Sequence, residues 1–278
     1  MKMTTMTKTL FFPAALVLAF VPSMALAQRG GRGGPAPTPK AAAPVDLTGY
    51  WVSVVTEDWR YRMIMPAVGD HPSQPLNAAG VKVADSFDSA KDEAAGEQCR
   101  AAGAAGVMRL PGRLHITWQD DNTMKIDTEA GTQTRLLRFM GAPAQDLLYH
   151  GAPDVPGLAA NLLTPSWQGA SLAVWEYAGG RRGQVNEADA NRNTGDLKVV
   201  TTHMKAGYLQ RNGVPYSADA VQTEYFHRTF ETNGDSWLIL QQIVEDPVYL
   251  NARYVRSTHY KRLPDTNTAW EPEACSSR

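Results

Sequence analysis

Apolar and polar residues alternate most clearly across Val221–Tyr249, VQTEYFHRTFETNGDSWLILQQIVEDPVY, where two β-patterned runs flank Asn233-Gly234. A period of two is the signature of a strand with one buried face. Asn-Gly supplies the positive φ that both central residues of a type I′ turn require, so the spacing predicts a β-hairpin with a two-residue turn. That register sets Thr232 opposite Asp235, Phe230 opposite Trp237, Phe226 opposite Gln241, Glu224 opposite Ile243 and Gln222 opposite Glu245. Glu224 and Glu245 then share a face, diagonal to each other and roughly 6–8 Å apart at the backbone. Val221, Tyr225, His227, Leu240 and Asp246 occupy the other face. Both faces are mixed, and the aromatic pair Phe230 and Trp237 favours the first as the inward one.

The same patterning predicts strands over Tyr50–Thr56, Arg113–Trp118, Met124–Glu129, Thr132–Phe139, Leu172–Tyr177, Leu197–Lys205 and Arg253–Arg262. A two-residue turn at Ala130-Gly131 sets Arg135 opposite Ile126. A loop over residues 119–122 sets His115 opposite Ile126 too, so that His115 and Arg135 flank it on one face. Leu76–Gly106, rich in Ala, Lys, Glu and Asp behind Asn77, predicts one or two short helices covering a mouth. Gly141–Ser166, Gly179–Gly195 (with Arg181, Arg182 and Arg192) and Gly207–Ser217 read as loops. Roughly eight to ten strands with short turns favour an antiparallel meander. Closing it removes the sheet edges and encloses a cavity. The expected fold is mainly β: an antiparallel up-and-down β-barrel with short helical insertions.

Gly49-Tyr50-Trp51 is a G-x-W on the first strand. It resembles the opening motif of lipocalin-like (calycin) barrels, whose Trp closes one barrel end under an arginine from a late strand. The resemblance implies that role for Trp51, with Arg256 or Arg262 over it. The T-D-x-x-Y turn of that family is absent. The segment from Thr223-Glu224-Tyr225-Phe226 through the Asn-Gly turn to Val244-Glu245-Asp246-Pro247 also resembles exported bacterial proteins. It implies a shared β-architecture and no particular activity.

Composition adds compartment. Residues 1–27 have Lys2 and Lys8 ahead of an apolar stretch ending in Ala25-Leu26-Ala27, the plan of a cleavable signal peptide. Residues 28–45 are Gly/Pro/Ala-rich and read as a flexible linker, leaving 46–278 as a single domain. Export to the periplasm or beyond makes a Cys99–Cys275 disulfide the expected fate of the two cysteines, against two free thiols. The formal net charge of −1 without a basic block argues against nucleic acid as a partner. No apolar run after the signal is long enough to span a membrane.

Candidate chemistry is confined to scattered groups. No G-x-S-x-G, phosphate-binding Gly loop or H-E-x-x-H occurs, so neither a cofactor nor a metal is expected. Two carboxylates meeting in an apolar barrel would have their pKa values pushed apart, giving an acid and a base. Glu224 and Glu245 are the candidates, with His115 and His203 assisting. Arg135, Trp51, Phe226, Trp237 and Tyr225 would contact the substrate. The expected function is an exported lyase or isomerase acting on a small, largely apolar molecule inside the barrel. The alternative is a lipocalin-like protein that binds such a small hydrophobic ligand unchanged. The Glu57–Arg62 run, EDWRYR, reads either as a substrate-contacting rim or as a strand end with solvated charges.

Overall fold

A computed structural model describes residues 37–140, 160–177, 195–266 and 269–277. The expected signal peptide, the first half of the linker, the bulk of the 141–166 connection and the Arg181, Arg182 and Arg192 loop lie outside the described residues. Nine strands close a barrel: β1 (Gly49–Val54), β2 (Arg113–Asp120), β3 (Thr123–Thr128), β5 (Gln133–Phe139), β6 (Ala170–Tyr177), β7 (Gly195–Thr202), β10 (Val221–Phe230), β11 (Ser236–Glu245) and β12 (Tyr254–Arg262). They follow one another round the ring in chain order, and β12 closes on β1. Short pieces lie outside the ring: β4 (Ala130–Gly131) pairs with β13 (Glu273–Ala274), and β8 (Gly207–Gln210) pairs with β9 (Val214–Tyr216).

The all-antiparallel expectation fails at one joint. β5 and β6 are parallel, while every other neighbouring pair in the ring is antiparallel. Odd parity requires this: strands that alternate in direction cannot close a ring of nine without two neighbours running the same way. A parallel pair needs a long crossover, and the chain between Phe139 and Ala170 supplies it. The Gly207–Ser217 stretch, expected as a loop, is instead the buried β8–β9 hairpin.

Alternation along each strand fills the lumen. Inward positions include Trp51, Ile116, Ile126, Leu137, Phe226, Leu240 and Tyr260, all fully buried. Each such side chain contributes about 1.5–3 kcal/mol on leaving water. The upper end, where β1 finishes, is covered by α1 (Trp59–Met63), α2 (Ala78–Asp85), α3 (Ser89–Ala94) and α4 (Ala104–Val107). Asn77 caps α2, its side-chain oxygen accepting from Gly80 N at 2.9 Å. The α4 segment enters the barrel as a plug: Gln242 Nε2 donates to Ala105 O at 2.6 Å and Tyr260 Oη donates to Met108 O at 2.5 Å. At the lower end Trp175 Nε1 donates to Pro39 O and Tyr177 Oη to Ala42 O, laying the chain from Pro37 across the opening. Val45 and Leu47 are buried there, and Trp51 Nε1 donates to Leu47 O at 2.9 Å. The Trp51 ring lies under Arg262, 5.7 Å away, and Arg228, 5.3 Å away. Arg256 is not at that position; it belongs to the upper rim. Cys99 and Cys275 form a disulfide that ties the tail to the helical cover. Among the described residues no helix is long and apolar enough to cross a membrane.

Candidate active site at the barrel rim

The carboxylate pair expected in the lumen does not form. Phe230 pairs with Ser236 and Glu224 with Gln242, one residue away from the register of a two-residue turn. A one-residue slip moves every side chain of the second strand to the other face. Glu224 stays inside, while Glu245 is exposed and pairs with Arg253 at 2.8 Å. Glu224 is instead gripped by Arg135, with Nη1–Oε1 at 2.9 Å and Nη2–Oε2 at 2.5 Å, both side chains having no exposure. A bidentate, fully buried pair of this kind is a structural clamp across the lumen, since neither group has an open side for a substrate. Phe226 is core beside it. Trp237 faces outward beneath Lys261, and Tyr225 faces outward beside Lys198. His115 also faces outward, because a β-bulge between Trp118 and Asp120 pairs Ile116, and not His115, with Ile126. Its ring stacks on Tyr50 at 4.0 Å. His203 follows β7 with φ 54°, its Nδ1 2.9 Å from Thr202 Oγ1. None of these groups shares a site with Glu224.

A different constellation assembles where β1 runs into α1. Asp58 has φ 47° and ψ 31°, left-handed for a residue that is not glycine. That conformation costs about 1 kcal/mol and turns the chain over the rim. Its carbonyl starts α1 by accepting from Tyr61 N and Arg62 N. Its carboxylate is held from two sides, by Arg109 Nη2 at 2.7 Å and Arg256 Nε at 3.2 Å. Glu57, one residue earlier, pairs with Arg62. Arg62 also donates to Ser53 Oγ at 2.8 Å and to Arg109 O at 2.9 Å. Burial pushes the pKa of the Arg62 guanidinium down, against the pull of Glu57.

His259, on the outer face of β12, completes the cluster. Its Nδ1 lies 2.9 Å from Thr56 Oγ1 and 3.2 Å from Glu57 Oε2, and Thr56 Oγ1 donates to Glu57 Oε2 at 2.9 Å. The single hydroxyl proton of Thr56 is thus directed at Glu57, and its oxygen accepts from His259 Nδ1–H. This network assigns the neutral imidazole its proton on Nδ1 and its lone pair on Nε2. Among the described residues none hydrogen-bonds Nε2, and the side chain is 32% exposed.

The arrangement can hold a base, orient it and stabilise its conjugate acid. Sequence reasoning marked the dense run Glu57–Arg62 but not its partners, because Arg109 and Arg256 arrive from segments far along the chain. The one local signal for Arg109 is a lone arginine in the otherwise apolar stretch Ala104–Leu110. Among the described residues no three His, Cys, Asp or Glu side chains gather as a metal site would need. Compared with known proteins, the chain matches no family model, no curated protein and no solved structure.

Proposed function

We propose that the protein is an acid–base enzyme of the lyase or isomerase type whose reacting group is His259 at the barrel rim. The observation that supports this is the Thr56–Glu57 hold on Nδ1, which leaves Nε2 as an oriented, accessible base. In the proton step Nε2 takes a proton from a carbon or oxygen acid of the substrate. The electron pair left behind forms a double bond as a leaving group departs, or the proton returns to a neighbouring atom. Glu57, through Thr56, favours the imidazolium formed in between. Asp58, locked between two guanidiniums, fixes the corner on which the dyad is built.

The placement differs from a lumenal site because the lumen is occupied. Trp51, Arg135, Phe226 and Tyr260 are among its fully buried fillings. A small, largely apolar substrate finds its contact surface instead on Trp59, Met63 and Ile64, which are exposed beside the rim. We read the architecture as a nine-stranded variation on the lipocalin-like plan, with Arg262 over Trp51 as its supporting detail. An exported, periplasmic or secreted location is part of the same reading and is supported by the disulfide.

The test is untargeted metabolite turnover by the purified protein, compared with His259→Asn and Glu57→Gln. Wild type should deplete at least one metabolite. His259→Asn should slow that loss by about 10²–10⁴-fold, the usual contribution of a general base. Depletion of the same compounds by His259→Asn at the wild-type rate would remove His259 from the chemistry.

A further inference from the structure

Arg211 sits at the tip of the β8–β9 hairpin, close to the rim, and the turn that carries it is fixed. Asn212 is fully buried and its Nδ2 donates to Ala67 O at 3.0 Å and Asp70 O at 3.1 Å. Gly213 has φ 87°, and a Cβ there would stand 2.3 Å from Phe87 Cβ, so backbone and neighbour are in close contact. On the other side Gln210 is buried, with its Oε1 lacking a hydrogen-bond partner. The guanidinium is therefore presented on a rigid support, as a recognition group should be.

The charge of Arg211 is unmatched. Its guanidinium donates through Nη2 to Arg62 O at 3.1 Å, and among the described residues it forms no ion pair. Burial alone draws its pKa down, with no neighbouring carboxylate opposing the shift. Arg62 and Arg109, on the facing wall, are each engaged by an acid, Glu57 and Asp58 respectively. Arg211 lines two recesses that share it. One, of about 20 Å³, is bounded by Tyr61, Arg62, Arg109 and Gln210. The other, of about 150 Å³, is bounded by Pro111, Gly131, Glu273 and Cys275. The first admits about one oxygen-sized atom, and the second has room for a body of a few heavy atoms.

We propose that Arg211 anchors a binding site for a small oxyanion, the carboxylate or phosphate group of a compact organic molecule whose remainder occupies the larger recess. A guanidinium with free N–H groups in a fixed fork matches such an oxyanion bidentately. Glu273 on the wall of the larger recess disfavours a dianion, so a monoanion is the better fit. The anion site stands on Arg211 alone and does not depend on the His259 reading.

The experiment measures thermal unfolding of the full chain in acetate and in inorganic phosphate, against chloride at matched ionic strength. The midpoint should rise saturably with acetate or phosphate in wild type and in His259→Asn. It should not respond in Arg211→Gln, and should respond more weakly in Arg211→Lys. As a readout independent of variant folding, wild-type crystals soaked in perrhenate, a monoanionic oxyanion, should show an anomalous peak within hydrogen-bonding distance of the Arg211 guanidinium. Equal wild-type midpoints in all three salts, an undiminished response in Arg211→Gln, or a perrhenate map without that peak would overturn the site. A saturable anion response alongside unimpaired turnover in His259→Asn would retain the anion site and discard the rim chemistry. The reverse pattern would discard only the anion site.

Discussion

Arg135 and Glu224 meet across the lumen with no exposure on either side, so removing one leaves the charge of the other in an apolar interior. Arg135→Met should lower stability by about 3–5 kcal/mol, whereas Arg135→Met with Glu224→Leu should recover most of that loss. Urea unfolding decides it: equal losses in the single and double variants would mean that the two do not act as a unit. The inward direction of both residues is legible in the alternation around them. Their meeting is not, because β5 and β10 are separated in the ring by β6 and β7 and touch only through the interior. His115 offers a second test. Burial holds its pKa below the ordinary 6.5. The unfolded chain therefore binds the proton more readily than the native state. The contribution of the neutral ring to stability is complete above pH 6.5 and is lost as pH falls from there towards the lower folded value. Urea midpoints measured from pH 8 down to about pH 5 should fall less steeply in His115→Phe than in wild type.

The β10–β11 and β2–β3 hairpins show how an element can be recognised and still be misread by one residue. Asn233-Gly234 does turn the chain, but within a loop over Glu231–Asp235. Glu231 N donates to Asp235 O at 2.8 Å and Gly234 N to Glu231 O at 3.0 Å. This register buries Leu238, Leu240 and Val244 and leaves Glu245 in water. The two-residue turn would have exposed those three and buried Glu245 without a partner, a penalty of several kcal/mol that turn preference cannot offset. In β2–β3 the bulge near Trp118 has the same effect, and no local residue announces it. The Ala130-Gly131 turn carries neither complication, and Arg135 pairs with Ile126 as its spacing predicts. Gly234 has φ 89° with nothing within 4 Å of a Cβ built there. Gly234→Ala should accordingly cost about 1 kcal/mol from backbone conformation alone, read as a lowered denaturation midpoint at constant slope.

For the whole molecule, the meander and its closure follow from strand count and turn spacing, but the parallel β5–β6 joint does not. Its connecting segment has no pattern that reveals which end of the barrel it returns to. The Cys99–Cys275 link spans 176 positions of the sequence and holds β13 beside β4. Replacing both cysteines with serine should reduce stability by about 5 kcal/mol in the chain-entropy account. Guanidinium unfolding of the double variant, set against disulfide-intact wild type, measures it. Closing β1 on β12 has a further effect, on time. Residues near position 50 acquire their second neighbour only when residues near position 260 exist, so every shorter length of nascent chain is an open sheet with two unsatisfied edges. Contacts this remote in sequence form late and slowly. The growing polypeptide therefore cannot lock before residues near position 260 have been made, and the arrival of β12 sets the moment at which the barrel closes.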